Sequence, residues 1–278
     1  MSVDTVFLKR KAAEARLHAL TMIYNASSGH PGGSLGCADL ITELYFREMK
    51  VDPANPADPD RDRFVMSKGH CSPTVYSILA MKGYFPMERL QEFRRVDAHM
   101  SGHVEMSIPG VDMSTGSLGQ GVSAASGMAM AAKQSGKDFR VYAVLGDGEL
   151  QEGQVWETMM AAHKYKLDNL CMIADVNGLQ IDGPTEEIMP LEPLDQKFEA
   201  FGIHAIVCDG HDFDALHAAL EEARATKGQP TMILAQTVKG KGVSFMENVA
   251  GWHGKAPSEE EYRQAKAELE AQLRELEG

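Results

Sequence analysis

Arg140-Val141-Tyr142-Ala143-Val144-Leu145 runs directly into Gly146-Asp147-Gly148-Glu149-Leu150-Gln151-Glu152-Gly153, and Asn169-Leu170-Cys171-Met172-Ile173-Ala174-Asp175-Val176 runs into Asn177-Gly178-Leu179. Each first part is a short run of apolar, β-forming residues closed by turn residues, the pattern of a buried strand. Between them, residues 151–165 carry helical spacing. The same alternation continues with a helix over 192–201, a strand over 204–208, a helix over 212–226 and a strand over 231–237. Upstream, residues 63–67 read as another strand behind the Pro- and Asp-rich loop 51–63. Strands alternating with helices of this length predict an α/β fold, a mostly parallel sheet flanked by helices.

The N-terminal part reads as helical over 4–25, 38–49 and 73–81. Residues 121–133, rich in Ala, Ser, Gly and Met, predict a closely packed, buried helix. Pro257-Ser258-Glu259-Glu260-Glu261 is a capping box that opens a charged C-terminal helix over about 258–277. With no repeat and no long linker, the 278 residues are read as a single domain over 1–278.

Composition narrows the class. The net charge of −13 makes nucleic acid and anionic membranes poor partners. No apolar run approaches the roughly 18 residues of a membrane span. Residues 1–26 have no signal-peptide core. Four cysteines without a CxxC read as buried reduced thiols of a cytoplasmic protein.

Parallel α/β sheets hold ligands beyond the carboxyl ends of their strands. Gly146-Asp147-Gly148 and Asn177-Gly178-Leu179 are both placed there. Glycines let the backbone approach a ligand, and the start of the following helix favours an anion. Asp147 offers a hard carboxylate oxygen, Asn177 an amide oxygen, and a nearby loop carbonyl, that of Leu179, a third. Such a set suits Mg²⁺, or Ca²⁺, bridging a diphosphate. A dinucleotide fingerprint would need Gly at position 151, which is Gln. A Walker A loop would need Lys at position 154, also Gln.

Gly-Asp-Gly at a strand end with Asn some thirty residues on resembles the signature of thiamine-diphosphate enzymes. The longer blocks GDGELQEGQVWE and DVNGLQIDGPT resemble transketolases, as do SSGHPGGSLG at 27–36, FVMSKGHCSP at 64–73, GHVEMSIPGVDMSTGSLGQG at 102–121, TVKGKGVSFMEN at 237–248 and WHGKAP at 252–257. The blocks follow the family's order over almost the whole chain. The resemblance implies the diphosphate-type domain of a thiamine-diphosphate fold, with His30, His103 and His253 lining the substrate channel as catalytic groups. Imidazoles suit the proton transfers that a sugar hydroxyl and carbonyl require. It also implies cofactor contacts at Lys68, His70, Gly116, Ser117, Leu118, Gly148, Glu149, Asn177 and Lys239. Glu152 matches a carboxylate between the two cofactors of the dimer. Metal contacts fall to Asp147, Asn177 and Leu179.

His99 and His103 also form H-x-x-x-H, but Ser101 and Gly102 are poor helix-interior residues, and no third zinc ligand is apparent. His18, His163, His204 and His217 read as structural or surface positions. His211, after Asp209-Gly210, is a weaker candidate for ligand contact.

The family's pyrimidine-binding domain, with its activating glutamate and the arginines that grip a sugar phosphate, has no counterpart in these blocks. The chain therefore reads as the N-terminal subunit of a split transketolase. Its implied partner is a C-terminal subunit carrying the pyrimidine-binding domain, in a heterotetramer of two plus two chains. The implied reaction moves a two-carbon ketol unit from a ketose phosphate to an aldose phosphate. Xylulose 5-phosphate and ribose 5-phosphate, the sugars of the pentose phosphate pathway, are the default pair. The competing readings are another thiamine-diphosphate enzyme (deoxyxylulose-phosphate synthase-like or acting on 2-oxoacids) and a non-catalytic cofactor-binding domain.

Overall fold

The computed structural model describes residues 3–277; Met1, Ser2 and Gly278, the ends of the expected 1–278 unit, lie outside the described residues. Helix α1 (Thr5–Asn25) starts at Asp4, whose side chain accepts from the Val6 N–H. Short α2 (Pro31–Gly36) and α3 (Ala38–Glu43) follow. The helix expected over 38–49 breaks its register: Leu44–Glu48 is a π turn, closed by Met49 N donating to Leu44 O at 2.8 Å. Strand β1 (Arg63–Met66) leads to α4 (Ser72–Lys82) and, after a long loop, to α5 (Gln120–Gln134). Then come β2 (Val141–Gly146), α6 (Gly153–Lys164), β3 (Leu170–Val176) and the two-residue β4 (Leu179–Gln180) and β5 (Gly183–Pro184). The chain ends through α7 (Thr185–Ile188), α8 (Leu194–Ala200), β6 (His204–Asp209), α9 (Phe213–Ala225), β7 (Thr231–Gln236) and α10 (Glu259–Glu275).

Five strands form one parallel sheet in the order β1-β2-β3-β7-β6, and β4 and β5 pair as a separate antiparallel ribbon. Strands β1, β2, β3 and β7 are buried on both faces because side chains alternate between two cores, whereas edge strand β6 is half-exposed. Tyr142, Val144, Cys171, Ile173 and Ile233 join the residues of α3, α4 and α9 on one face. Val141, Ala143, Leu145, Met172, Met232 and Leu234 join those of α5, α6 and α8 on the other. A third cluster, with Leu20, Trp252 and Leu269, seats α10 on α1. The capping box forms as its letters predict: Ser258 N donates to Glu261 Oε2 at 2.7 Å, and Glu261 N to Ser258 Oγ at 3.3 Å.

A second element departs from expectation. Helix α5 is not wholly buried: Val122, Ala125, Ala129 and Ala132 face the core, whereas Gln120, Gly127, Ala131 and Lys133 are exposed. Its small residues suit close packing on one side only. No helix among the described residues is long and apolar enough to cross a membrane.

The register brings the carboxyl ends of β1, β2, β3 and β7 side by side. Gly69, just after β1, sits where two loops cross. A Cβ there would lie 2.5 Å from Thr115 Oγ1 and 2.7 Å from the Thr115 carbonyl carbon. Gly69→Ala is expected to lower stability by roughly 1–3 kcal/mol through overpacking against backbone that cannot give way. Denaturant unfolding checks this, and an unshifted midpoint would show that the loops separate freely.

Candidate active site

Beyond those strand ends opens a cavity of about 350 Å³. After β1 come Lys68 and His70, after β2 Asp147 and Gly148, after β3 Asn177 and Leu179, and after β7 Lys239; all of them line it. Helix α2 brings His30 at its N-cap position, and the loop between α4 and α5 brings His103, Gly116 and Leu118. His253 follows a short 3₁₀ turn, and Glu149 and Glu152 complete the predicted lining residues. Ser117 alone departs: it is exposed and outside the lining, and its carbonyl accepts from Gln120 N at the start of α5. A second cavity of about 380 Å³ opens among the starting ends of β1, β2 and β3. Its Lys133 and Arg224 are paired with Asp168 and Glu48, and it lies at the opposite end of the strands from the predicted site residues.

The loops of the first cavity are tied by backbone. Val104 N donates to Gly69 O at 3.2 Å, Thr115 N to Val104 O at 3.0 Å, and Thr115 Oγ1 to Met66 O at 2.6 Å. These bonds set His70, His103 and Gly116 beside one another. Gly116 has φ +157°, and a Cβ there would stand 3.2 Å from the His103 ring.

Asp147 dominates the floor. Its Oδ1 accepts from Gly148 N at 2.9 Å, and Oδ2 from Asn177 N at 3.1 Å and Gly178 N at 2.7 Å. Burial pushes its carboxyl above the usual range, and Asp175 pushes the same way, against the Gly148 and Gly178 N–H groups and Lys68. A nearby cation favours the charged form of a buried carboxylate. Asn177 turns its amide nitrogen toward Asp175, while its Oδ1 accepts from Leu179 N at 3.2 Å. Lys239 Nζ donates to Leu179 O at 3.4 Å. The three oxygens of Asp147, Asn177 and Leu179 are hard donors of one loop cluster, with a single carboxylate among them. They fit a divalent cation that completes its shell with phosphate oxygens and water.

Three details differ from expectation. The turn after β2 is a 3₁₀ turn, Gly148–Gln151, and α6 begins only at Gly153, so no long helix starts at the motif. Glu149 lines the cavity but spends its carboxylate inside the protein: Ser67 Oγ and Gly119 N donate to Oε1, and Gly146 N to Oε2. Lys68 is not a free counter-charge. Burial opposes its charge, but the adjoining Asp175 carboxylate, its ion-pair partner, holds the ammonium well above the ordinary lysine range. Asp175 also accepts from Thr237 Oγ1. Sequence reasoning missed Asp175, yet a signal existed. A carboxylate inside the apolar run LCMIADV must find a buried cation. Gln151 and Gln180, hydrogen-bonded to each other, and Ile181 also line the cavity unforeseen.

Four imidazoles crowd the upper wall. The His30 ring lies 5.1 Å from His70, 5.9 Å from His103 and 5.4 Å from His253, centre to centre. Burial, then the charge of His70, pushes His30 down to about 4. Burial, then Lys239, pushes His253 down to about 3, and Lys239 Nζ lies 3.0 Å from its Nδ1. Burial, then His70 and Arg94, lowers His103. His30, His103 and His253 therefore present neutral imidazoles at neutral pH, able to accept a proton. In the unfolded chain an imidazole takes up its proton near 6.5, before folded His30 or His253 does. Both residues thus subtract stability as pH falls from about 6.5 toward 4, and the contribution is absent above that window. Denaturant midpoints are expected to drop between pH 7 and pH 5; equal midpoints would mean that these imidazoles titrate as if in water.

The remaining candidates are structural. His211 Nδ1 lies 2.6 Å from Asp39 Oδ2, and its Nε2 accepts from Val238 N at 2.8 Å, away from the cavity. Residues 99–103 are not helical. Cys37, Cys71 and Cys171 are buried free thiols, and Cys208 is half-buried.

The sequence matches the family described as transketolase, thiamine diphosphate binding domain, over residues 8–275. It is 46% identical over 271 residues to a 6-deoxy-6-sulfo-D-fructose transketolase subunit of Clostridium sp. (strain MSTE9), covering 97% of this chain and 98% of that one. It is 40% identical over 277 residues to an apulose-4-phosphate transketolase subunit of Phocaeicola vulgatus, covering 100% and 98%. The structure superposes on transketolase from Campylobacter jejuni with a TM-score of 0.91 at 34% identity, covering 99% of this chain and 46% of that one. The chain thus spans nearly the full length of the two bacterial subunits and less than half of the C. jejuni enzyme.

Proposed function

Because the chain belongs to the family of thiamine-diphosphate-binding transketolase domains, we propose that it forms the diphosphate- and metal-binding half of a two-chain transketolase. It is a transketolase subunit, a transferase that works with thiamine diphosphate. The observation that carries the fuller reading is the meeting, in one cleft, of the Asp147–Asn177–Leu179 oxygens with the four histidines.

Bound thiamine diphosphate supplies the carbon nucleophile and the electron sink. The chain's own groups bind, orient and move protons. Asp147, Asn177 and the Leu179 carbonyl would hold Mg²⁺ or Ca²⁺ together with the diphosphate. Lys239 and His70 would offset its negative charge, Gly148 would allow close approach, and Gly116 and Leu118 would meet the aminopyrimidine. Lys68 and Glu149 act indirectly, by fixing strand ends and loops. His103 and His30, neutral at working pH, take the proton from a sugar hydroxyl and return one to the sugar oxygen. His253 is held beside them by Lys239. Glu152, at the mouth, faces the cofactor network of the neighbouring half.

The partner is a chain with the pyrimidine-binding domain and the activating glutamate, two copies of each forming a heterotetramer. The relatives named as subunits support such a division. The four unbridged cysteines support a cytoplasmic setting. The donor is a ketose bearing an anionic terminus and the acceptor an aldose phosphate. The relative named for a sulfonated sugar adds 6-deoxy-6-sulfo-D-fructose to a panel headed by xylulose 5-phosphate and apulose 4-phosphate.

A coupled ketol-transfer assay, with thiamine diphosphate and Mg²⁺, tests this on the chain alone and mixed with the C-terminal subunit. Activity is expected only in the mixture. Activity of the chain alone would overturn the division of labour. CO₂ release from a 2-oxoacid would favour the decarboxylating relatives instead.

A further inference from the structure

Arg94 lies outside every motif that marks the site, and its surroundings are unusual. It is a non-glycine residue with φ +56°, a conformation maintained only where surroundings over-determine it. Its N–H donates to Met100 O at 2.8 Å, closing the loop that delivers Ser101, Gly102 and His103. Its Nη1 donates to Ser28 Oγ at 3.0 Å, on the loop that delivers His30. The guanidinium lies directly on the Gly102 backbone, where a Cβ would overlap its central carbon. Its Nε is buried with no acceptor, and no carboxylate pairs with it among the described residues.

We propose that Arg94 is a positioning residue for ketol transfer: its guanidinium clamps the His30 loop to the His103 loop and keeps an uncompensated positive charge beside both imidazoles. The role rests on the reading that His30 and His103 handle the substrate's protons. The fork geometry explains the choice of Arg, since a planar guanidinium can lie flat on Gly102 while reaching Ser28, and an ammonium cannot do both. The charge works in the same direction as burial. The groups facing His103 are His70, Arg94 and Cys71, with His30 alongside; those facing His30 are His70, Cys71, Arg94, His103 and His253. Arg94 disfavours a second cation in this set, so both rings stay available to accept a proton.

Three variants separate the clamp from the charge. In Arg94→Met, NMR titration of the full chain is expected to show the His30 and His103 imidazoles protonating at higher pH than in the wild type. In the two-chain enzyme the acid limb of the kcat/KM profile moves to higher pH. Turnover falls roughly 10- to 100-fold, the scale of a misplaced reacting group, while thiamine diphosphate retention stays unchanged. Arg94→Lys restores the imidazole titration but not full turnover. Ser28→Ala leaves the titration unmoved and lowers turnover, and it reports on the clamp even if Arg94→Met folds poorly. Imidazole titration and acid limb both unmoved in Arg94→Met would overturn the proposal. So would a loss confined to KM for phosphorylated ketoses and absent for a non-phosphorylated one, which would make Arg94 a substrate-anion contact. If the wild-type mixture transfers no ketol unit, the functional reading fails, while the NMR arm still decides whether Arg94 sets the charge of the wall.

Discussion

Asp147→Ala abolishes the metal-dependent retention of thiamine diphosphate by the assembled enzyme. The expectation rests on two losses at one position. The substitution removes the only carboxylate among the proposed metal contacts, and a hard cation has no comparable donor to turn to. It also strands three backbone N–H groups, those of Gly148, Asn177 and Gly178, which now share the Asp147 oxygens. Gly148 and Asn177 are half-buried and Gly178 is exposed, so water takes up part of the roughly 1–3 kcal/mol that a fully buried stranded donor costs, and the floor loosens by less than that sum. The fall in cofactor affinity should exceed the roughly 10- to 100-fold typical of losing a group that merely orients a ligand. Cofactor content is measured after gel filtration with Mg²⁺ and again with a chelator, with a thermal midpoint to confirm folding. Wild-type retention in a folded Asp147→Ala enzyme would remove the metal from this loop cluster.

His103→Ala should divide the two properties the other way. The His103 carbonyl accepts from Tyr76 OH and Ser101 Oγ, both at 2.8 Å, and the next residue is tied to Gly69 O. The loop is therefore held by backbone, and truncating the ring leaves its path in place. The ring stands on the wall with His30, whereas the proposed metal contacts and Lys239 lie at the strand ends. Cofactor retention is expected to stay near wild type, with turnover down roughly 10²–10⁴-fold, the range for a lost acid–base group. Steady-state kinetics of the two-chain enzyme, read beside cofactor content, decide it. A full-rate enzyme would exclude His103 from the proton transfers, and a fall in cofactor content matching the fall in rate would make it a binding residue instead.

What could be read from the letters follows physical locality. Strands β2 and β3 were legible because burial on both faces writes a continuous apolar run, and the ligand-facing residues sit immediately after them. Ser258 and Glu261 were legible because a capping box is contained in four residues. Asp175 and Arg94 were not. The importance of Asp175 arises only when parallel register places the end of β1, with Lys68, beside β3. That of Arg94 arises from two loops separated by some seventy residues that meet over Gly102. The half-exposed face of α5 was hidden for another reason: a helix of Ala, Gly and Ser reads alike on every side. The inward hydrogen bonds of Glu149 were hidden because a motif shows which residues neighbour a ligand, but not which way a carboxylate turns.

The ion pair of Lys68 with Asp175, extended to Thr237 and Asn177, joins the ends of β1, β3 and β7 through the chain's own side chains. Strand ends tied in this way leave little chain entropy to surrender when a ligand is captured. The amides of Asn177 and Gly178 should resist hydrogen exchange before any cofactor arrives, to nearly the depth of the central strands.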